Sequence, residues 1–124
     1  MPNCRVLFVD DNVMCAMDTC ETLKDHGYSV VEVHRARDAL RVIENHGRLC
    51  ALVTDVELGP GASGFEVARA ARAAYPRLPV VFVSGTAAAR HTAEGVEGSQ
   101  FVAKPFHPRQ IEEALDRAIG LRAA

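Results

Sequence analysis

Asp10, Asp11, Asp55, Ser84 and Lys104 are the residues whose types and placement could do chemistry together. Each ends a short apolar run. Val6-Leu7-Phe8-Val9 leads into Asp10-Asp11, and Ala51-Leu52-Val53-Thr54 leads into Asp55. Val80-Val81-Phe82-Val83 leads into Ser84, and Phe101-Val102-Ala103 leads into Lys104-Pro105. If these runs are parallel strands of one sheet, their polar ends meet at its carboxyl edge, where open α/β sheets bind ligands. Three carboxylates at one edge repel, and at least one pKa rises unless a cation compensates. A hard divalent cation is the natural compensator: Mg²⁺ takes one or two carboxylates and leaves room for phosphate oxygens. Lys104 adds a compact positive charge on a flexible stem, and Ser84 adds a hydroxyl able to donate to an oxyanion. The set suits a phosphoryl group. Asp side chains act as nucleophiles in phosphoryl transfer and form aspartyl phosphates, with the protein positioning the group and stabilising its charge.

The segments between the runs must supply that positioning. Arg5 to Val9 reads as a strand. From Asn12 to His26, the residues Val13, Ala16, Cys20 and Leu23 recur at steps of three and four and predict one apolar helix face. Asn12 suits an N-cap, and Gly27 a residue just past the helix end. Ser29 to Val33 reads as a strand, and Ala36 to His46 as a helix with Ala36, Ala39, Leu40 and Ile43 inward and Gly47 as its stop. Leu49 to Thr54 is nearly all apolar, as in a strand covered on both faces. Glu57 to Ala62 is a Gly- and Pro-rich loop. Ser63 and Glu66 then form an S-x-x-E capping box for a helix to about Tyr75. Pro76 and Pro79 bound the turn into the Val80–Val83 strand. Ala87 to Val96 predicts a helix with little to bury, a kind of element that opens locally. Gln100 to Ala103 is the last strand. Pro108 suits N1 of a final helix with Ile111, Ala114, Leu115, Ala118 and Ile119 on its face. Five strands alternating with five helices predict an α/β fold, a parallel sheet with helices on both faces.

At 124 residues the chain is expected to be a single domain, 1–124. The formal net charge of −2, without clustered Lys and Arg, gives no nucleic-acid footprint. No apolar stretch approaches the ~20 residues of a membrane span. No secretory leader precedes the first strand, so the expectation is a cytoplasmic protein without a membrane partner. Cys4, Cys15, Cys20 and Cys50 lack the paired spacing of a zinc or redox motif and read as packed, reduced thiols. His26, His34, His46, His91 and His107 read as surface or capping residues, and Glu112-Glu113 as a solvated helix face.

The whole chain resembles a two-component response-regulator receiver domain. The resemblance is carried by Val9-Asp10-Asp11-Asn12, Asp55, Gly64-Phe65-Glu66, Ser84-Gly85 and Lys104-Pro105-Phe106, in family order and spacing. It implies a flavodoxin-like (βα)5 fold with strand order 2-1-3-4-5. It implies that Asp55 is the phosphoacceptor, that Asp11 ligates Mg²⁺ directly and Asp10 largely through water, and that Asp55 and the backbone carbonyl of Glu57 complete the protein ligands. Lys104 would pair with the phosphoryl oxygens. Ser84 would be the switch hydroxyl and Phe101 the switch aromatic that turns inward with it. The Lys104–Pro105 bond would be cis. The implied donor is a histidine kinase or histidine phosphotransfer protein. The implied output surface combines the family's fourth helix, fifth strand and fifth helix, with an unnamed partner. Such a domain is a signalling switch that catalyses only its own phosphorylation and slow dephosphorylation. No output domain is expected after the final helix, which leaves a stand-alone regulator or a receiver excised from a hybrid kinase.

Taken singly, each signal has an ordinary explanation. Asp10-Asp11 is a solvated strand end, Lys104-Pro105 and Ser84-Gly85 are turns, and Phe101 is core. Their coincidence at four strand ends favours the receiver. The loop after Asp55 is Gly-rich and longer than in many receivers, and Glu57 brings an extra carboxylate. Glu57 is therefore expected to alter metal affinity or phosphoryl lifetime, and the resemblance implies that Thr86, two residues past Ser84, tunes hydrolysis. Two other classes fit less well. An Asp-nucleophile phosphohydrolase wants an acid two residues after its nucleophile, whereas Asn12 and Val13 follow Asp11. A flavodoxin-like small-molecule binder wants a phosphate-cradling loop after the first strand, where Asp10-Asp11 stands instead.

Overall fold

The structure, a computed structural model, describes residues 5–45, 48–85 and 95–123. β1 (Arg5–Val9), β2 (Ser29–Val33), β3 (Leu49–Asp55), β4 (Val80–Ser84) and β5 (Gln100–Ala103) form one sheet in the order β2-β1-β3-β4-β5. Every neighbouring pair is parallel, and the β1–β3 register slips once, between Arg5 and Val6. The sequence-derived strand order and fold class are thus observed. Four helices are described: α1 (Val13–Asp25), α2 (Ala36–Asn45), α3 (Gly64–Ala74) and α4 (Pro108–Ala123). Residues 86–94, which carry Thr86 and most of the expected helix between β4 and β5, lie outside the described residues, as do His46, Gly47 and Cys4.

Strand alternation divides the core. Leu7, Val9, Leu52, Val80 and Phe82 face α2 and α3. Val6, Phe8, Val53, Val81 and Val83 face α1 and α4. The central strands are buried on both faces, which is why they read as unbroken apolar runs. Leu52 has no exposure, and truncating such a leucine to alanine typically costs about 2–5 kcal/mol.

Local chemistry sets the ends. The Asn12 side chain caps α1 by accepting from the Cys15 N–H, and Gly27 follows the helix at φ +101°, a conformation that favours glycine. Ser63 and Glu66 close the capping box that starts α3. One expectation fails at α1. Val13 is exposed, and Thr19 is buried in the face that Ala16, Cys20 and Leu23 share. The buried face of α1 begins only at Ala16, so the helical spacing of Val13 meets no core. Glu112 also departs from the solvated-face reading, because it contacts His26 at the end of α1.

Candidate functional site

The carboxyl edge brings Asp10, Asp11, Asp55, Ser84 and Lys104 together. Asp10 and Asp55 are buried at the ends of β1 and β3, and Ser84 is fully buried at the end of β4. Carboxylate oxygens of Asp10, Asp11 and Asp55 lie within 4.8 Å of one another, with Asp11 exposed. Lys104 brings its Nζ to 2.8 Å from Asp55 Oδ2 and 3.7 Å from Asp10 Oδ1.

Backbone ties hold these groups in place. The Lys104 N–H donates to the Ser84 carbonyl at 2.9 Å, so the ends of β4 and β5 are locked together. The Lys104–Pro105 peptide is cis, as the sequence led us to expect. The Asn12 N–H donates to Asp10 Oδ1 at 2.9 Å. After Asp55 the chain is pinned by buried Val56 and Leu58, and the Gly64 N–H donates to the Val56 carbonyl at 2.8 Å. A Cβ at Gly64 would come within 2.1 Å of the Asp55 carbonyl oxygen. Only glycine therefore lets α3 start this close behind Asp55, which explains the glycine of Gly64-Phe65-Glu66.

Burial pushes the Asp55 carboxyl up to about 6, and the Asp10 charge adds to the rise; the Lys104 hydrogen bond and charge, with the Glu57 N–H, oppose it. For Lys104, burial favours the neutral amine. The hydrogen bond to Asp55 and the charges of Asp10 and Asp55 outweigh it, and the net pKa is raised. The site is thus a strained charge cluster, three carboxylates against one ammonium, in partly desolvated surroundings. Its donors are all hard oxygens, and the charge left uncompensated matches a hard divalent cation. The residues present therefore fit a Mg²⁺ ion.

Two contacts at Glu57 tie the loop to the site, one across the fold and one a local turn of the kind that Asp side chains make with the backbone two residues on. The Ser84 hydroxyl donates to Glu57 Oε1 at 2.8 Å, across 27 positions of sequence. The Glu57 N–H donates to Asp55 Oδ1 at 3.3 Å. The sequence marks Glu57 as an extra carboxylate, but its partner depends on how the loop folds back. Beside the cluster, Val13, Met14 and Met17 expose apolar side chains on the first turns of α1. Phe101 is half-buried on β5, opposite Phe82 on β4, and packs on the α2–α3 side of the sheet. The thiols near the site are unreactive in character. Burial, then the Asp10 charge, raises Cys15; burial, then Glu32, pushes Cys20 up to about 12. The described histidines lie elsewhere: His26 caps α1, His34 contacts Glu32, and His107 precedes α4. Among the described residues, no helix is long and apolar enough to cross a membrane.

Known proteins share both sequence and shape with this chain. The sequence profile of the response regulator receiver domain matches residues 6–116. The phyllosphere-induced regulator PhyR of Methylorubrum extorquens is 25% identical over 93% of this chain and 43% of its own length. The transcriptional regulatory protein CreB of Escherichia coli is 30% identical over 86% of this chain and 46% of its own. The chain thus spans less than half the length of these relatives. Among solved structures, a response regulator receiver protein from Sinorhizobium medicae superposes with a TM-score of 0.91 at 30% identity, covering 96% of each chain. The chemotaxis response regulator CheY4 of Vibrio cholerae superposes at 0.81 with 28% identity, covering 93% of this chain and 98% of its own. The chain belongs to the response regulator receiver domain family.

Proposed function

We propose that Asp55 accepts a phosphoryl group from a phosphohistidine donor, and that the chain works as a single receiver domain switching a protein-binding surface. The observation that carries this reading is Asp55 itself, buried at the sheet edge, held by Lys104 at 2.8 Å and crowded by Asp10 and Asp11. With a pKa of about 6 it is ionised at neutral pH yet poorly solvated, which suits a nucleophile. An Asp55 carboxylate oxygen forms the bond to phosphorus as the bond from phosphorus to the donor imidazole nitrogen breaks. Lys104, already placed between Asp55 and Asp10, pairs with the phosphoryl oxygens. Asp10, Asp11, Asp55 and the Glu57 carbonyl would hold Mg²⁺, and a bound Mg²⁺ neutralises charge on the transferring group.

Ser84 then donates its hydroxyl to the new phosphoryl group, and Phe101 turns inward from its half-buried position on β5. Together they carry the change to the surface of β5 and α4 that an output partner reads, so the switch lies in conformation rather than turnover. The exposed Val13, Met14 and Met17 offer an apolar landing surface beside the site for the donor protein. Support for a histidine kinase or phosphotransfer protein as donor comes from the receiver domain of the hybrid histidine kinase CckA, which superposes at a TM-score of 0.75 and 28% identity. Such donors act in the cytoplasm, where we place this chain. Glu57 and Thr86 would set how long the phosphoryl group survives.

The test is incubation with Mg²⁺ and acetyl phosphate followed by intact-mass measurement. An acid-stable, base-labile phosphoryl adduct is expected, lost in Asp55→Asn. Absence of the adduct with both acetyl phosphate and a phosphorylated kinase would overturn the reading.

A further inference from the structure

We propose that Glu57 is a positioning residue for this site: its carboxylate holds the Ser84 hydroxyl in the resting state, so phosphorylation must break the Glu57–Ser84 bond before Ser84 can engage. The inference rests on the phosphoacceptor reading of Asp55. Ser84 is fully buried, and its hydroxyl has one proton to give. That proton goes to Glu57 Oε1 at 2.8 Å. A hydroxyl cannot donate at once to this carboxylate and to a phosphoryl oxygen on Asp55.

Glu57 is well placed to compete. Among the described residues its carboxylate has no Lys or Arg partner, and Lys104 pairs with Asp55 and Asp10 instead. Its own N–H donates to Asp55 Oδ1, so one residue touches both the acceptor and the hydroxyl. The loop cannot easily carry it away: Leu58 is buried next to it, and Gly64 packs against the Asp55 backbone. When Ser84 turns to a phosphoryl oxygen, the Glu57 carboxylate loses a charge-assisted hydrogen bond, and it is left facing added negative charge. Both effects favour the resting arrangement. A hydrogen bond to a charged acceptor is strong enough to bias such a choice by about tenfold.

A double-mutant cycle on the full chain tests this, with Mg²⁺ and beryllofluoride as the phosphoryl mimic and calorimetric titration as the readout. Glu57→Ala is expected to tighten beryllofluoride binding about tenfold when Ser84 is present, and to change it less than about twofold in Ser84→Ala. Ser84→Cys serves as the second weak-donor background if Ser84→Ala lowers the melting temperature. No tightening, or equal tightening with and without the Ser84 hydroxyl, overturns the proposal; equal tightening would assign the effect to bare charge repulsion. Failure of the wild-type chain to bind beryllofluoride would instead overturn the phosphoacceptor reading, and the proposal with it.

Discussion

Two regions of this molecule bring carboxylates within 4.8 Å of one another: Asp10, Asp11 and Asp55 at the carboxyl edge of the sheet, and Glu112 and Asp116 beside His26 near the end of α1. The types are similar but the settings differ. At the sheet edge, Asp10 and Asp55 have almost no solvent, and the cation that pairs with them among the described residues, Lys104, comes from a different strand end. In the outer cluster, His26 and Asp116 are half exposed, and Tyr28 donates its hydroxyl to Asp116. There, water solvates the charges and no cofactor is needed to explain them. At the sheet edge the fold withholds water, so proximity becomes electrostatic tension that a cation or phosphoryl chemistry can use. Closeness of acids alone does not make a site; burial of the acids does.

The largest expected test of this contrast is pH. The folded pKa of Asp55 lies above its ordinary value of 3.8, so its contribution to stability is greatest below that value and is lost as pH rises through about 6. In metal-free protein this should remove roughly 3 kcal/mol at most, read by urea unfolding at several pH values. Asp55→Asn should flatten that part of the profile; an unchanged slope would assign it to other groups. Second, Lys104→Met leaves Asp10 and Asp55 without a cation and should cost about 2 kcal/mol at pH 8, and less at pH 4.5 where Asp55 is protonated. Equal loss at both would show that Lys104 contributes packing rather than charge. Smallest, Glu112→Gln should change stability by under about 1 kcal/mol at either pH, because its partner His26 is half exposed and solvent screens the pair. A loss as large as that of Lys104→Met would erase the distinction between the two clusters.

Much of this arrangement was legible along the chain. The caps at Asn12 and Ser63 are local chemistry, readable from neighbouring residue types. The strands announced themselves because central parallel strands are apolar throughout. The site residues were legible because each ends such a run. What escaped depended on partners far apart in sequence or on the outline of the whole. Val13 keeps the spacing of a core residue, yet it stands exposed in the first turn of its helix. Glu112 looks like half of a solvated pair until α1 delivers His26 to it. Glu57 read as an extra charge, and only the folded loop gives it the Ser84 hydroxyl.

The sequence by itself determined the order of elements, the doubly covered sheet and the identity of the groups at its carboxyl edge, because these follow from residue type and period. Tertiary structure decided how those groups act on one another. The raised Asp55 carboxyl, the Lys104 bridge to two acids and the Glu57–Ser84 bond all depend on excluded water and angstrom-scale approach. Those properties arise only when strands distant in the chain are packed side by side.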